Sequence, residues 1–265
     1  MRKALLALLL LGAPGTALAQ VAQCNPTAQT QRPRPDLPDP GQPRRLLPIG
    51  GYTLALSWSP QYCATARGGG DSFQCSGRGG RFGFTLHGLW PDGVGKEWPQ
   101  YCRATDLLPR AVIRQNLCTT PSVQLLQHEW AKHGSCMTTK PDLYFNLSRA
   151  LYEGIRYPDM AALARRPTLT VGQFVQAFVA ANRGLKADMV RVTTTRDNRL
   201  SEVWLCMDRS LEFARCPTHQ RGARPATRIR ITPGPNIPNA KRPPAPVHRP
   251  GLILNLDPDA QVPAE

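Results

Sequence analysis

Ionisable side chains are concentrated between Leu125 and Cys136, where the sequence reads Leu-Leu-Gln-His-Glu-Trp-Ala-Lys-His-Gly-Ser-Cys. If residues 122–133 form a helix that turns by about 100° per residue, four of these side chains share an arc of roughly 140°. The four are His128, Glu129, Lys132 and His133. A face with two imidazoles, a carboxylate and an ammonium ion can transfer protons and stabilise negative charge. The same pattern also fits a solvated polar face, so a second motif is needed to decide.

The second motif is the segment Phe84–Asp92, which reads Phe-Thr-Leu-His-Gly-Leu-Trp-Pro-Asp. Its apolar and aromatic residues predict a strand over residues 82–87, ended by the Gly-Leu-Trp-Pro that follows. A histidine at the end of a strand, such as His87, is exposed where the backbone turns away. One such histidine is more often structural. Two His-Gly motifs, each near a tryptophan, indicate a shared functional site.

The amino terminus predicts export. Residues 1–19 begin with Arg2 and Lys3, continue with an apolar run too short to span a bilayer, and end in Ala-Leu-Ala, as a secretory signal peptide does. No other stretch could cross a membrane, so we expect a secreted or periplasmic protein. All eight cysteines follow this segment, and an even number in an exported chain indicates disulfides.

Composition divides the rest of the chain into three parts. Residues 20–48 are rich in proline and predict an extended linker, residues 49–220 predict the folded domain, and residues 221–265 predict a mostly irregular tail rich in proline and arginine. Residues 227–231 have the composition of one further strand. The formal net charge of +15 favours polyanionic partners such as RNA or DNA, although it is weak evidence alone.

Strands and helices do not alternate regularly along the folded region. Strands are predicted at residues 51–58, 82–87, 189–195 and 200–207, and helices at residues 107–117, 122–133, 142–157 and 171–182. This order favours an α+β layer over a doubly wound sheet.

The segments Phe84–Pro91 and Leu125–Cys136 resemble the two active-site segments of the ribonuclease T-two family. Its members are secreted, metal-independent endoribonucleases. Weaker resemblance at Trp58–Cys63, Trp98–Cys102 and Leu205–Pro217 extends the match to about residues 50–220. The resemblance implies a central, mainly antiparallel β-sheet with packed helices, RNA as the partner, and neither metal nor other cofactor.

The resemblance also implies a role for each ionisable residue. RNA carries its own nucleophile, the 2′-hydroxyl, so cleavage needs a base, an acid and a positive charge. His133 would be the base, His87 the acid, Lys132 and Glu129 would stabilise the transition state, and His128 would bind phosphate. The sequence alone does not decide which histidine is base and which is acid. The product would be a 2′,3′-cyclic phosphate, hydrolysed slowly to a 3′-phosphate.

Three residues are candidates for binding bases. By resemblance, Trp90 and Trp98 would stack bases and Asp92 would accept a hydrogen bond from a base amino group, with broad specificity and a mild purine preference. Alternatively, Trp90 fills the core behind His87.

The family bridges a cysteine pair that corresponds to Cys102–Cys136. With that bond we expect Cys206–Cys216 to close a hairpin and Cys63–Cys75 to close a glycine-rich loop, which leaves Cys24–Cys118.

Other functions fit less well. A metalloprotease helix needs His-Glu-x-x-His, whereas the second histidine here is one residue further on and adjoins Lys132. A catalytically silent RNA-binding relative would be expected to lack one of the key residues. A structural cell-envelope protein is supported only by the proline- and arginine-rich flanks. We expect a monomer, because nothing in the sequence indicates an oligomer interface.

Overall fold

Four antiparallel strands form the central sheet. The computed structural model describes residues 21–22, 24–28, 31–66 and 72–234. The sheet contains β2 (Ile49–Trp58), β4 (Phe84–Gly93), β5 (Val190–Thr194) and β6 (Leu200–Met207) in the order β4-β2-β6-β5. A second sheet pairs β1 (Val21–Ala22) with β3 (Arg81–Phe82). The prediction of a mainly antiparallel α+β fold is confirmed.

Helices pack around this sheet. They are α1 (Ser59–Thr65), α2 (Ser72–Cys75), α3 (Arg110–Asn116), α4 (Val123–Lys132), α5 (Pro141–Gly154), α6 (Met160–Ala164) and α7 (Val171–Ala181). Helices α4 and α5 contact β4, and α7 contacts β5. The sequence predicted α3, α4, α5 and α7 but not α1, α2 and α6. Within the described part of the chain, no helix is long and apolar enough to cross a membrane.

Strand β2 lies inside the sheet and is buried along most of its length. Leu54, Ala55 and Leu56 are fully buried there. Strands that are covered on both faces bury side chains of both orientations, and in β2 the run from Tyr52 to Leu56, with Thr53 in it, is buried without a break. The core continues through an aromatic cluster in which Phe84 contacts both Trp58 and Phe178.

Strand β4 is longer than the sequence predicted. It continues past residue 87 to Gly93, so the prediction that the strand ends at His87 is wrong. Pro91 is tolerated because β4 is an edge strand of the sheet. The register shifts within β4, since Leu86 pairs with Leu56 but Gly88 pairs with Ala55. His87 is the extra residue of this bulge, and a bulge redirects a side chain without ending the strand.

Four disulfides cross-link the chain, and they are the pairs that we expected. They are Cys24–Cys118, Cys63–Cys75, Cys102–Cys136 and Cys206–Cys216. The Cys102–Cys136 bond connects the loop after β4 to a 3-10 turn, Gly134–Cys136, that follows α4.

Residues 31–48, which we call the strap, contain no helix or extended strand but pack on the domain. Pro33 is buried, the backbone of Arg34 bonds the side chain of Gln124 in both directions, and Arg45 pairs with Gln100 through two backbone hydrogen bonds. The proline-rich segment is therefore extended, as expected, but it is docked rather than a free linker.

Two predictions concern the ends of the chain. The signal peptide at residues 1–19 and the tail beyond residue 234 lie outside the described residues. At residues 227–231 the structure has isolated bridges, Thr170 with Arg228 and Arg199 with Arg230, rather than a strand.

Candidate active site

Helix α4 carries most of the predicted site, and its bounds agree with the prediction. The Ser122 side chain caps its amino terminus by accepting a hydrogen bond from the backbone of Leu125. Its buried face includes Leu126 and Trp130. The helix ends at Lys132, so His133 lies just beyond it rather than on the same regular face.

Glu129 is a buried carboxylate that connects α4 to β4. Only 2% of the residue is exposed. The indole N–H of Trp90 donates to Glu129 Oε2 at 2.9 Å, and His87 Nε2 lies 3.6 Å from Glu129 Oε1. Burial raises the pKa of Glu129 to about 7, against the opposing effects of His87 and Trp90. Glu129 Oε1 has no hydrogen-bond partner among the described residues.

Gly88 allows this close approach of helix and strand. A Cβ atom added at this position would overlap Glu129 Oε2 and lie 2.8 Å from Trp90 Nε1. The glycine of the His-Gly motif is therefore required by the space that Glu129 occupies, and not by a turn in the backbone.

His87 lies between two carboxylates. Its Nδ1 atom is 2.6 Å from Glu202 Oε1 on β6, while its Nε2 atom faces Glu129. Burial alone lowers the pKa of His87, but the hydrogen bond to Glu202 and the charges of Glu129 and Glu202 outweigh burial and raise that pKa above 6.5. The sequence analysis missed Glu202; the available signal was an acidic residue within an otherwise apolar strand.

His133 has the opposite electrostatic surroundings. It is 5% exposed, and its ring stacks on Trp90 with centroids 5.6 Å apart. Burial, followed by the positive charges of Lys132, His128 and His87, lowers the pKa of His133 well below 6.5. Its Nδ1 atom is buried and has no partner among the residues that the structure describes.

The strap contacts the remaining two ionisable residues. His128 Nδ1 lies 3.1 Å from Asp36, which also accepts a hydrogen bond from the Tyr101 hydroxyl at 2.7 Å. Burial lowers the pKa of His128 despite Asp36. Lys132 donates to Gln42 at 2.5 Å, and burial lowers its pKa too. Both side chains thus face residues that the sequence assigned to a linker.

The candidate base-binding residues line one open cleft of about 890 Å³ together with Lys132 and His133. Trp90 is half-buried, and its ring edge faces His87 at a centroid distance of 5.0 Å, so it borders the cleft rather than filling the core. Trp98 is exposed and packs against the Arg45 guanidinium. Asp92 already accepts a hydrogen bond from Thr53 at 2.7 Å, and burial raises its pKa.

One group of residues has the spacing of metal ligands. His128, Glu129 and His133 each offer an atom within 4.8 Å of the others. The donor set is chemically suitable for a divalent metal. However, the charge of Lys132 acts on both Glu129 and His133, and it would repel a cation at this position.

Fold and site together define a disulfide-bonded α+β protein with two histidines in opposite electrostatic surroundings. The family model described as Ribonuclease T2 family matches residues 49–216. The chain therefore belongs to the Ribonuclease T2 family, as its motifs predict.

Relatives and a solved structure agree with this family. A probable ribonuclease of Haemophilus influenzae is 30% identical over 182 residues, which are 64% of this chain and 61% of that protein. A ribonuclease of Aeromonas hydrophila is 32% identical over 163 residues, or 60% of this chain and 71% of that protein. The RNase-related protein from Calystegia sepium has the same fold, with a TM-score of 0.56, 22% identity, and coverage of 69% of this chain and 97% of its own.

We predict that Gly88→Ala destabilises the protein by about 1–3 kcal/mol, the usual cost of overpacking a core. The added methyl group must displace the Glu129 carboxylate or the Trp90 indole. Urea denaturation measures the free energy of unfolding. Gly95→Ala is the matched control, because a Cβ atom at Gly95 meets no atom within 4 Å. Equal stability of the two variants would contradict the proposed packing.

Proposed function

We propose that the protein is a metal-independent endoribonuclease that cleaves single-stranded RNA by attack of the 2′-hydroxyl on the adjacent phosphate. Membership of the Ribonuclease T2 family supports this class of activity. The observation that carries the chemistry is the pair His87 and His133. Their rings lie 5.0 Å and 5.6 Å from the same Trp90 ring, and their pKa values are shifted in opposite directions.

These opposite shifts support one assignment of the two proton-transfer roles, which the sequence leaves open. His133, whose pKa is lowered, is neutral and acts as the base that removes the 2′-hydroxyl proton. Because its Nδ1 atom is buried, Nε2 is the nitrogen left to accept that proton. His87, whose pKa is raised, keeps its proton to higher pH than His133 and acts as the acid.

The first step forms one bond and breaks one. The 2′-oxygen attacks phosphorus, the bond from phosphorus to the 5′-oxygen breaks, and His87 protonates the departing oxygen. The products are a 2′,3′-cyclic phosphate and a 5′-hydroxyl. In the second step water attacks the phosphorus of the cyclic phosphate while His87 removes a proton from that water. The bond from phosphorus to the 2′-oxygen breaks, His133 returns a proton to the 2′-oxygen, and a 3′-phosphate results. DNA lacks the 2′-hydroxyl and is not a substrate.

Positive charge and hydrogen-bond donors stabilise the phosphorane. Lys132 supplies a cation at the edge of the cleft, and His128 binds a phosphate oxygen. With a pKa of about 7, Glu129 is partly protonated near neutrality and can donate a hydrogen bond to a phosphoryl oxygen. Its Oε1 atom faces His87 and has no hydrogen-bond partner among the described residues, which supports this role.

Base recognition rests on aromatic surfaces. Trp90 and Trp98 line the cleft beside the catalytic groups, and stacking on aromatic rings tolerates every base. Thr53 and Gln220 already donate hydrogen bonds to the Asp92 carboxylate, so fewer of its acceptor positions remain for a base. We therefore propose broad specificity with a mild purine preference rather than strict recognition of one base.

The four disulfides and the apparent signal at residues 1–19 support a secreted or periplasmic location. We further propose that the enzyme acts as a monomer on RNA.

We predict that the oxidised protein, without residues 1–19, cleaves RNA but not DNA in excess EDTA and produces 2′,3′-cyclic phosphate ends. His87→Phe and His133→Ala should each lower kcat by several orders of magnitude, because each removes one proton-transfer group. Circular dichroism checks that the variants fold. A protein that binds RNA without cleaving it would be a catalytically silent relative, and near-normal rates in both variants would disprove the mechanism.

We predict that Asp36→Asn lowers the KM for RNA roughly two- to fivefold at low salt, the size expected for a surface charge interaction of about 0.5–1 kcal/mol. The Asp36 carboxylate is beside His128, where the substrate phosphate is proposed to bind, so its negative charge opposes binding. Steady-state kinetics at several salt concentrations measures the effect. The control is Asp142→Asn, which makes the same charge change at an exposed position in the first turn of α5. A higher KM would mean that Asp36 assists binding through His128.

A further inference from the structure

Glu202 contacts the acid of the proposed reaction from two strands away in the same sheet. It lies on β6, opposite Ser57 of β2, and reaches His87 in the bulge of β4. Its Oε1 atom is 2.6 Å from His87 Nδ1. The contact therefore joins three neighbouring strands through one carboxylate.

The carboxylate itself is fixed in place. Ser57 donates its hydroxyl to Glu202 Oε1 at 2.8 Å, and the Trp204 indole donates to Oε2 at 2.9 Å. Both oxygens thus have a donor that belongs to the sheet, so Glu202 is oriented independently of substrate. Trp204 also contacts the Trp90 ring, edge to face, at 5.5 Å.

A fixed carboxylate at Nδ1 has two consequences for an imidazole. It selects the form that carries hydrogen on Nδ1, and it sets the direction in which Nε2 points. Here Nε2 faces Glu129 on the side of the catalytic helix. A proton delivered to a leaving oxygen must therefore travel from Nε2.

We propose that Glu202 is a positioning residue that holds His87 with Nδ1–H directed at β6 and Nε2 directed at the scissile phosphate. This inference rests on the proposed ribonuclease mechanism. Glu202 does not touch substrate; it acts through His87.

The surroundings of His87 indicate what loss of Glu202 would change. Glu129 and Glu202 favour the protonated imidazole, whereas burial and the charge of Lys132 oppose it, and His133 is a further titratable neighbour. Without the charge of Glu202, Glu129 is the one of these groups that still favours the protonated form of His87. The pKa of His87 should then fall, and the acid should be lost at lower pH.

The test is Glu202→Gln, which keeps the shape of the side chain and removes its charge. We expect kcat to fall about 10- to 100-fold, the loss typical when the carboxylate that orients a metal-bound histidine is removed, with little change in KM. The alkaline limb of the pH–kcat profile should move to lower pH, and Glu202→Asp should restore part of that shift. The control is Glu153→Gln on α5, which removes an exposed carboxylate and should leave the profile unchanged.

Nuclear magnetic resonance of the histidine rings separates this inference from the proposed function. In Glu202→Gln we expect a lower pKa for His87 and loss of the preference for hydrogen on Nδ1, whether or not the protein cleaves RNA. If the wild-type protein does not cleave RNA but Glu202→Gln shows these changes, the proposed mechanism is wrong, while the effect of Glu202 on the His87 ring is confirmed. An active protein whose Glu202→Gln variant keeps the wild-type alkaline limb and His87 pKa would overturn the role of Glu202.

If Glu202→Gln fails to fold by circular dichroism, Ser57→Ala gives a second test, because it removes one of the two donors that orient Glu202. A smaller shift of the His87 pKa in the same direction supports the proposal, and an unchanged pKa overturns it.

Discussion

The site depends on one buried carboxylate held between a helix and a strand. Taking Glu129 out of water is costly unless its charge is reduced or its oxygens are bonded. The structure does both in part, because the Trp90 N–H donates to one oxygen, His87 faces the other, and the pKa of Glu129 rises to about 7. Gly88 provides the space for this arrangement. The close contact between α4 and β4 therefore sets both the position of the Glu129 carboxylate and the direction in which its pKa is shifted.

The two histidines near that contact have different electrostatic surroundings. His87 lies on the side of Glu129 and Glu202, where negative charge favours an imidazolium ion. His133 lies beyond the end of α4, where burial and Lys132 favour a neutral ring. Trp90 contacts both rings, with an edge-on arrangement to His87 and a stacked arrangement to His133. A single fold thus shifts the pKa values of two neighbouring histidines in opposite directions.

The sequence predicts much of this fold because the relevant signals are local. The serine cap and apolar face of α4 and the apolar run at the end of β6 need no knowledge of distant residues. The position of His87 is different, since the bulge that exposes it depends on the register between β4 and β2. Composition, in turn, predicts an extended backbone for the strap, but it carries no information on where that backbone docks.

Local sequence patterns also could not predict the acidic partners of His87 and His128, because those partners are distant in the chain. Glu202 is 115 residues from His87 in the chain, and Asp36 is 92 residues from His128. Neither acidic residue belongs to a motif around its histidine, and only the sheet order and the docked strap bring them into contact. The motifs predict which side chains form the site, while the three-dimensional structure shows which acidic residues contact its histidines.

The central claim is that the two histidines hold opposite charge states over a shared pH range. A titration of the histidine rings by nuclear magnetic resonance, assigned with the His87→Phe and His133→Ala variants, measures both pKa values in the free protein. The account predicts that His87 titrates above the ordinary value of 6.5 and His133 well below it. The reverse order, or two values on the same side of 6.5, would contradict it.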